Sequence, residues 1–416
     1  MKDNKRATDQ GIDGESSPCG HSRPAPPMAG RTSLLHPLGL LLAPLVLWAP
    51  HVLAGEGDTF RPVLQYNYAR DDNLFRLADS TLPFAQGRGD SYQTLGAGFD
   101  LDWKQGRQQF LVSALASQTQ FNKYTQLDYD GEDATAEWKW QLGNRLRGTL
   151  GTDYSVYQGT YLDVTGLVGN VRTQRKHYAT GTWWFHSNWD AEVRYNRFSM
   201  NYSDVAQIGS NYEYDDIALG LFYRGGQMER LGVEFSTQDG RYPDRTAPLA
   251  TRFDRESIYL VANWLPTGKT RLKTRIGYIS RNDNAAAQRD YSGLNARVDM
   301  DWSPGGKTLA NLAAYRTQEN SELAGADSIT TTGLKGNLLW QPLAKIILST
   351  NLTLEQNRYN GTVLDEDINT AGVSATYQPW PGTDITLSLT KQQRRSNITT
   401  REFDATVLGL IAQVKF

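Results

Sequence analysis

The chain has 416 residues, and its 43 Lys and Arg against 45 Asp and Glu give a formal net charge of −2. That balance lacks the basic excess of a nucleic-acid-binding protein. A mean hydropathy of −0.55 is too low for a bundle of membrane helices. A single cysteine, Cys19, excludes a disulfide scaffold and a metal site built from several cysteines. The 21 Tyr and 11 Trp are many for so polar a chain, and their distribution is informative.

The N-terminal part contains the one long apolar run, Leu34 to Ala54, which ends in small residues before Gly55. This pattern predicts a secretory signal peptide. Residues 1–27 are polar and too long for the charged start of such a signal, so translation is predicted to begin at Met28. We therefore divide the chain into a leader, 1–54, and a mature part, 55–416. The expected destination is the envelope of a Gram-negative bacterium.

Alternation of polar and apolar residues dominates the mature chain. Leu294 and Val298 belong to an apolar set that alternates with a polar set containing Arg297 and Asp299, and similar runs of about ten residues recur. A period of two over that length predicts a β-strand with one apolar and one polar face.

Short aromatic segments recur along the chain with a spacing of about 40 residues. Each combines Trp, Phe or Tyr with Gly, Pro, Asn or Asp, which is typical of a tight turn. The eight segments are DWKQGRQ, KWQLGNR, WWFHSNWD, FYRGGQMER, NWLPTGKT, DWSPGGKT, LWQPLAKI and YQPWPGTD. Longer polar segments separate them, so short turns alternate with longer loops.

Eight short turns join sixteen strands, and one strand at each end of the mature chain makes eighteen, with sixteen as the next choice. An even number of strands, short turns, longer loops and aromatic girdles are typical of an outer-membrane up-and-down β-barrel. Trp at the short turns predicts the periplasmic girdle. Tyrosines near the loops predict the outer one: Tyr68, Tyr124, Tyr157, Tyr202, Tyr212, Tyr291 and Tyr359. A soluble all-β protein such as a propeller is the alternative architecture.

Strand parity predicts which side chains line the barrel interior, because the exterior must be apolar. Inward cations and anions are then nearly equal in number, which suits a hydrated solute. The lumenal candidates are Arg145, Arg147, Arg194, Glu234, Tyr259, Arg271, Lys273, Arg275, Arg297 and Asp299. Arg271, Lys273 and Arg275 share a strand beside Arg297. These cations are candidates for binding carboxylate or sulfate on a passing chain, although pairing with Glu234, Asp299 and neighbouring acids is the commoner case. Tyr259 and Phe222 are candidate platforms for sugar rings.

Catalytic and metal-binding patterns are weak. The mature chain contains two histidines, His177 and His186, and no G-x-S-x-G motif, so we expect no enzyme and no cofactor. An acidic segment supplies oxygen ligands of the kind that Ca²⁺ prefers, although a solvated acidic loop is the commoner case. Its members are Asp128, Asp130, Glu132 and Asp133.

The start of the mature chain reads GEGDTFRPVLQYNYARDDNLFRL. With the Trp turns that follow, it resembles the EpsL-type outer-membrane proteins of exosortase-associated exopolysaccharide loci, within a wider β-barrel porin group. Asp72 to Arg76 carry the resemblance together with the turns. In this segment Asp71 and Asp72 are expected to bind a cation or to pair with arginines such as Arg88. Leu74 and Phe75 are expected to fold the first loop so that it narrows the pore.

The resemblance implies a conduit that exports extracellular polysaccharide through the outer membrane. The implied partners are that polymer, outer-membrane lipid and lipopolysaccharide, and periplasmic export components, with no nucleic acid. A general or sugar-specific diffusion porin and a non-conducting scaffold of an assembly complex are the alternatives. The polymer, the direction of transport and the oligomeric state stay open.

Overall fold

The computed structural model describes residues 59–159, 161–162, 169–284, 290–321, 323 and 325–416. The predicted leader, with Cys19, Met28 and the processing site before Gly55, lies outside these residues. No helix in the described ranges is both long and apolar enough to cross a membrane.

Eighteen strands account for most of the described chain. In order they are β1 Phe60–Asp71, β2 Asp90–Gln105, β3 Gln108–Phe121, β4 Tyr129–Leu142, β5 Leu146–Gln158, β6 Val171–His186, β7 Trp189–Tyr202, β8 Tyr212–Gly225 and β9 Met228–Arg241. They continue as β10 Arg252–Thr267, β11 Thr270–Asp283, β12 Tyr291–Gly305, β13 Thr308–Asn320, β14 Ser328–Leu343, β15 Ile346–Asn360, β16 Asp365–Tyr377, β17 Thr383–Ser396 and β18 Phe403–Lys415. The longer connections are numbered in chain order as outer loops: L1 (72–89), L2 (122–128), L3 (159–170), L4 (203–211), L5 (242–251), L6 (284–290), L7 (321–327), L8 (361–364) and L9 (397–402).

The strands form one closed antiparallel barrel. Each strand pairs with its neighbours in the sequence, and β1 closes the sheet by pairing with both β2 and β18. Closure pairs the backbone of the first and last strands and removes the sheet edges that a lipid bilayer would not tolerate. The predicted up-and-down barrel is confirmed, with eighteen strands and not the alternative sixteen.

Strand alternation divides the wall into two faces as the sequence predicts. On β12, Leu294 and Trp302 point outward and are 52% and 45% exposed, whereas the inward Arg297 and Asp299 form an ion pair. The same parity places large apolar side chains on the outside of most strands. Such an exterior is stable only against hydrocarbon.

The short turns repeat one stabilising contact along three consecutive hairpins. A lysine in each turn donates a hydrogen bond to the proline carbonyl of the next turn, at 2.9, 3.1 and 2.6 Å. The donors and acceptors are Lys269 and Pro304, Lys307 and Pro342, and Lys345 and Pro379. Most turn tryptophans face outward, as predicted for the periplasmic girdle, with 38–55% exposure: Trp103, Trp138, Trp183, Trp189, Trp264, Trp302, Trp340 and Trp380.

The predicted outer tyrosine girdle is largely wrong. Tyr124, Tyr202 and Tyr359 are at most 6% exposed and lie among the outer loops instead of facing lipid. Tyr68 does point outward, and so do tyrosines that the prediction omitted, including Tyr278 at 54% exposure. Proximity to a loop was a poor guide because loops that fold back over a barrel bury aromatic rings from their own flanking strands.

Candidate functional site

The four cations predicted on β11 and β12 all lie on the lumenal face, and each is paired with a carboxylate. The ion pairs have N–O distances of 2.6–3.1 Å. They are Arg271 with Glu229, Lys273 with Asp301, Arg275 with Glu234, and Arg297 with Asp299. The four cationic side chains are 42–48% exposed, so a solute in the lumen can reach them. The arrangement matches the paired-charge alternative and keeps the cations accessible.

Glu234 is the junction of this network. Its carboxylate lies on β9 between β7 and β11, where it contacts both Arg194 and Arg275 at 2.6 Å. The Glu234 side chain is only 4% exposed, whereas the two arginines are 34% and 42% exposed. A buried carboxylate therefore holds two guanidinium groups at the lumen surface.

The inward aromatic rings are covered by arginines. The guanidinium of Arg275 lies 3.5 Å from the ring centroid of Tyr259, and that of Arg230 lies 3.4 Å from Phe222. Both rings are at most 2% exposed. They stabilise cations through cation–π contacts and present no free face for a sugar ring.

A second group of charges lies near the short-turn end of the lumen. Asp190 is fully buried and accepts a hydrogen bond from Arg224 at 2.7 Å, while Arg230 contacts Glu192 at 2.7 Å. Trp184, which points inward unlike the girdle tryptophans, contacts the guanidinium of Arg147 at 4.4 Å and that of Arg224 at 5.3 Å. We call these inward charged residues, together with those of the ion pairs on β11 and β12 and of the Glu234 junction, the lumenal charge belt. Its members are Arg147, Asp190, Glu192, Arg194, Arg224, Arg230, Glu234, Arg271, Lys273, Arg275, Arg297, Asp299 and Asp301.

Sequence reasoning placed some members of this belt and missed others. Arg147 and Arg194 lie where parity predicts them, but Arg145 is in the short turn between β4 and β5. Asp190 and Arg230 were missed, although the parity of β7 and β9 extends to them. The alternation of β7 and β9 includes both residues. They were overlooked because each lies beside a short turn, where the alternation begins.

L1 is folded by its own polar residues. The guanidinium of Arg76 binds both carboxylate oxygens of Asp71 at 2.8 and 3.0 Å, and Asp72 accepts from the backbone N–H of Thr406 at 2.6 Å. Arg88 instead donates to four backbone carbonyls of the same loop. Asp71 therefore pairs with Arg76 and not with the expected Arg88.

Aromatic residues join L1 to two further loops. Leu74 and Phe75 are buried, and the ring of Phe75 lies 4.8 Å from Tyr124 of L2 and 4.9 Å from Tyr161 of L3. Burial raises the pKa of the Tyr161 phenol. The carbonyl of Leu162, also in L3, accepts hydrogen bonds from side chains of β17 and L9 on the other side of L1: Arg394 and Arg401. These loops thus cover part of the outer end of the barrel.

A second loop cluster is built on buried ion pairs. Arg245 of L5 binds Asp327 of L7 at 2.7 Å, and both side chains are at most 2% exposed. The ring of Tyr242 contacts the Arg245 guanidinium at 3.6 Å, and its hydroxyl accepts from Arg281 of β11. Burial raises the pKa of the Tyr242 phenol despite these two cations.

The acidic segment around L2 is not gathered into a calcium site. Asp128 accepts from the backbone N–H of Phe121 at 2.7 Å, while Asp130 and Glu132 are exposed on β4. Within the described ranges, no group of three His, Cys, Asp or Glu side chains is arranged to hold a metal ion.

Comparison with known proteins finds a similar architecture in solved porin structures. Residues 266–416, about a third of the chain, match a family model described as "Putative beta-barrel porin 2". The crystal structure of the outer membrane protein OpdK from Pseudomonas aeruginosa is 12% identical, with a TM-score of 0.50, and covers 86% of this chain and 99% of its own. A BenF-like porin from Pseudomonas fluorescens Pf-5 is 13% identical, with a TM-score of 0.49 and coverages of 86% and 98%. No curated protein matches the chain. The similarity to OpdK shows the fold, a closed β-barrel, and the family match is limited to the C-terminal third of the chain.

Proposed function

We propose that the chain forms an outer-membrane diffusion channel for small hydrated solutes that carry a carboxylate or another acidic group. The lumenal charge belt is the observation that carries the proposal, because its cations on β11 and β12 are 42–48% exposed while the buried carboxylate of Glu234 fixes Arg194 and Arg275. A passing anion exchanges contacts with successive guanidinium groups. The paired carboxylates keep each contact weak enough for release.

The covered outer end favours small solutes over a polymer. L1 and L3 pack on each other through Phe75 and Tyr161, and the Leu162 carbonyl bonds to Arg394 on β17. A polysaccharide that leaves through this end has to displace these contacts, whereas a small solute passes beside them.

Export of an acidic polysaccharide is the second candidate. Its support is the resemblance of Asp72 to Arg76, together with the turn segments, to the EpsL-type proteins. The same half-exposed cations suit the uronate groups of an acidic polymer. A non-conducting scaffold requires a closed lumen and predicts no channel activity.

Two measurements separate these functions. Liposomes containing the protein are expected to swell faster in glucuronate than in glucose, and single channels in planar bilayers are expected to conduct. Absence of both activities would refute the diffusion channel and favour the scaffold. Loss of secreted polysaccharide with periplasmic accumulation in a deletion strain, restored by the wild-type gene, would favour export.

A further inference from the structure

The barrel wall is incompletely paired between β12 and β13. Their register extends from the short turn to Ala296 opposite Arg316 and stops there. Both strands continue toward the outer end, β12 from Tyr291 and β13 to Asn320. On their other sides the same segments stay paired, with β11 and β14. Extension of the register leaves four rungs open, from Asn295 and Thr317 to Ser292 and Asn320, and no other pair of described strands has so long a gap.

The open rungs begin within the membrane. Ala296 is six residues from the girdle residue Trp302, which is about 20 Å along the strand at ~3.4 Å per residue. A strand tilt of about 40° makes this roughly 15 Å along the membrane normal, within an apolar band of about 25 Å. Leu294, beside the open rungs, points outward and is 52% exposed. The gap therefore faces the outer leaflet.

Side chains from the lumen, and not backbone pairing, hold the free edge of β13. The guanidinium of Arg255 on β10 donates to the carbonyl of Gln318 at 3.2 Å, and Arg281 donates to the side chain of Asn320 at 2.5 Å. The hydroxyl of Tyr242 donates to the carbonyl of Asp327 at 2.9 Å. These contacts connect the outer end of β13 and L7 to β10, β11 and L5. Unpaired backbone at membrane depth is stable where protein or lumenal water satisfies it.

An open groove on the outward surface of the barrel adjoins the last paired rung. Outward apolar side chains of four strands line it: Ala296, Val298, Ala314, Leu334 and Leu354. Its polar end contains Arg316 together with Gln356, Asp367 and Asn369, and the Arg316 guanidinium donates to the hydroxyl of Thr332 at 3.2 Å.

We infer that the gap between β12 and β13 is a lateral opening that admits a long-chain fatty acid anion. The hydrocarbon chain lies in the outward groove, and the carboxylate enters the gap, with Arg316 on the outward side and Arg255 on the lumenal side. Pairing resumes at Ala296 opposite Arg316, so the opening is confined to the outer ends of the two strands. This route connects the lumen with the outer leaflet and goes beyond the axial diffusion proposed above.

Photolabelling tests the opening directly. The probe is palmitate with a diazirine next to its carboxylate, dissolved in phosphatidylcholine liposomes that contain the full-length protein. We expect labelling of outward residues around the barrel and also of Glu319, which shares the lumenal face of β13 with Tyr315. Absence of label on Glu319 would overturn the proposal, because a closed wall keeps the probe away from lumenal side chains.

A bridged variant identifies the route. In a Cys19→Ser background, Asn295→Cys and Thr317→Cys are joined with dibromobimane, which fluoresces when both thiols react. Bridging is expected to lower labelling of Glu319 at least tenfold. The matched control joins Thr317→Cys to Thr331→Cys across the fully paired β13–β14 seam and is expected to change labelling less than twofold. Equal effects of the two bridges would refute a route between β12 and β13. Ion conductance should persist in both bridged proteins. Its loss would contradict the proposed diffusion channel, whereas the lateral opening is judged by the labelling of Glu319 alone.

Discussion

Neutralisation of Glu234 is the sharpest test of the lumenal charge belt. In Glu234→Gln, Arg194 and Arg275 lose their shared carboxylate, and the lumen gains one positive charge. A monovalent anion about 5 Å away then gains ~0.8 kcal/mol in water-like dielectric, and a cation loses the same amount. Screening at 0.15 M salt, where the Debye length is ~8 Å, reduces each value to roughly 0.4 kcal/mol.

The two effects add in the selectivity ratio. Anion-over-cation permeability is expected to rise about fourfold at 0.15 M salt and about tenfold near 0.01 M, where screening is weak. The reversal potential in planar bilayers under a salt gradient measures this ratio. Glu213→Gln is the matched control, because Glu213 pairs with Arg241 on the outward face of the barrel. An equal shift in both variants, or no dependence on salt, would show that Glu234 does not control the lumenal potential.

Three further predictions concern the outer loops. Phe75→Ala removes a buried ring that contacts two loops, so it should lower the stability of the loop cluster by about 3–5 kcal/mol. Single-channel conductance should then rise. Leu82→Ala, which changes an exposed residue of the same loop, should leave conductance unchanged. Asp327→Asn leaves the buried Arg245 uncompensated and should lower the free energy of unfolding in urea by about 3–5 kcal/mol; an unchanged unfolding midpoint would contradict this. Because burial raises the pKa of Tyr161, the native state retains the phenol proton more strongly than the unfolded chain does. The stability that the protonated phenol contributes is fully present below pH ~10, the pKa of a free tyrosine, and is lost progressively as the pH rises above it. Proteolysis of L1 should therefore accelerate above pH ~10, and it should accelerate less in Tyr161→Phe.

The sequence predicted the barrel well because lipid imposes a strict rule on every strand. Alternation of the kind seen at Leu294 and Arg297 has one physical solution when the exterior is hydrocarbon, and the turn residues place the strand ends. The loops obey no such rule. Tyr124 and Tyr359 are buried by contacts between segments distant in the sequence, and nothing in their local pattern distinguishes them from the outward Tyr68.

The candidate site was predictable in composition and not in detail. Parity places Arg275 and Glu234 inward, but it cannot show that Glu234 serves two arginines or that Arg275 covers Tyr259. These contacts depend on the stagger between neighbouring strands. The end of pairing above Ala296 was equally hidden, because the outward position of Leu294 continues the alternation of β12 past that point.

The repeated link between short turns makes the hairpin a modular unit. Lys269, Lys307 and Lys345 are each 38 residues apart, and each forms the same contact with the following turn. Loss or duplication of one such unit changes the strand number by two, preserves the inside-outside alternation and restores the same contact at the new junction. Barrels of sixteen or twenty strands are thus reachable from this chain by a single deletion or duplication, with the lumen changed in width and the rim still joined.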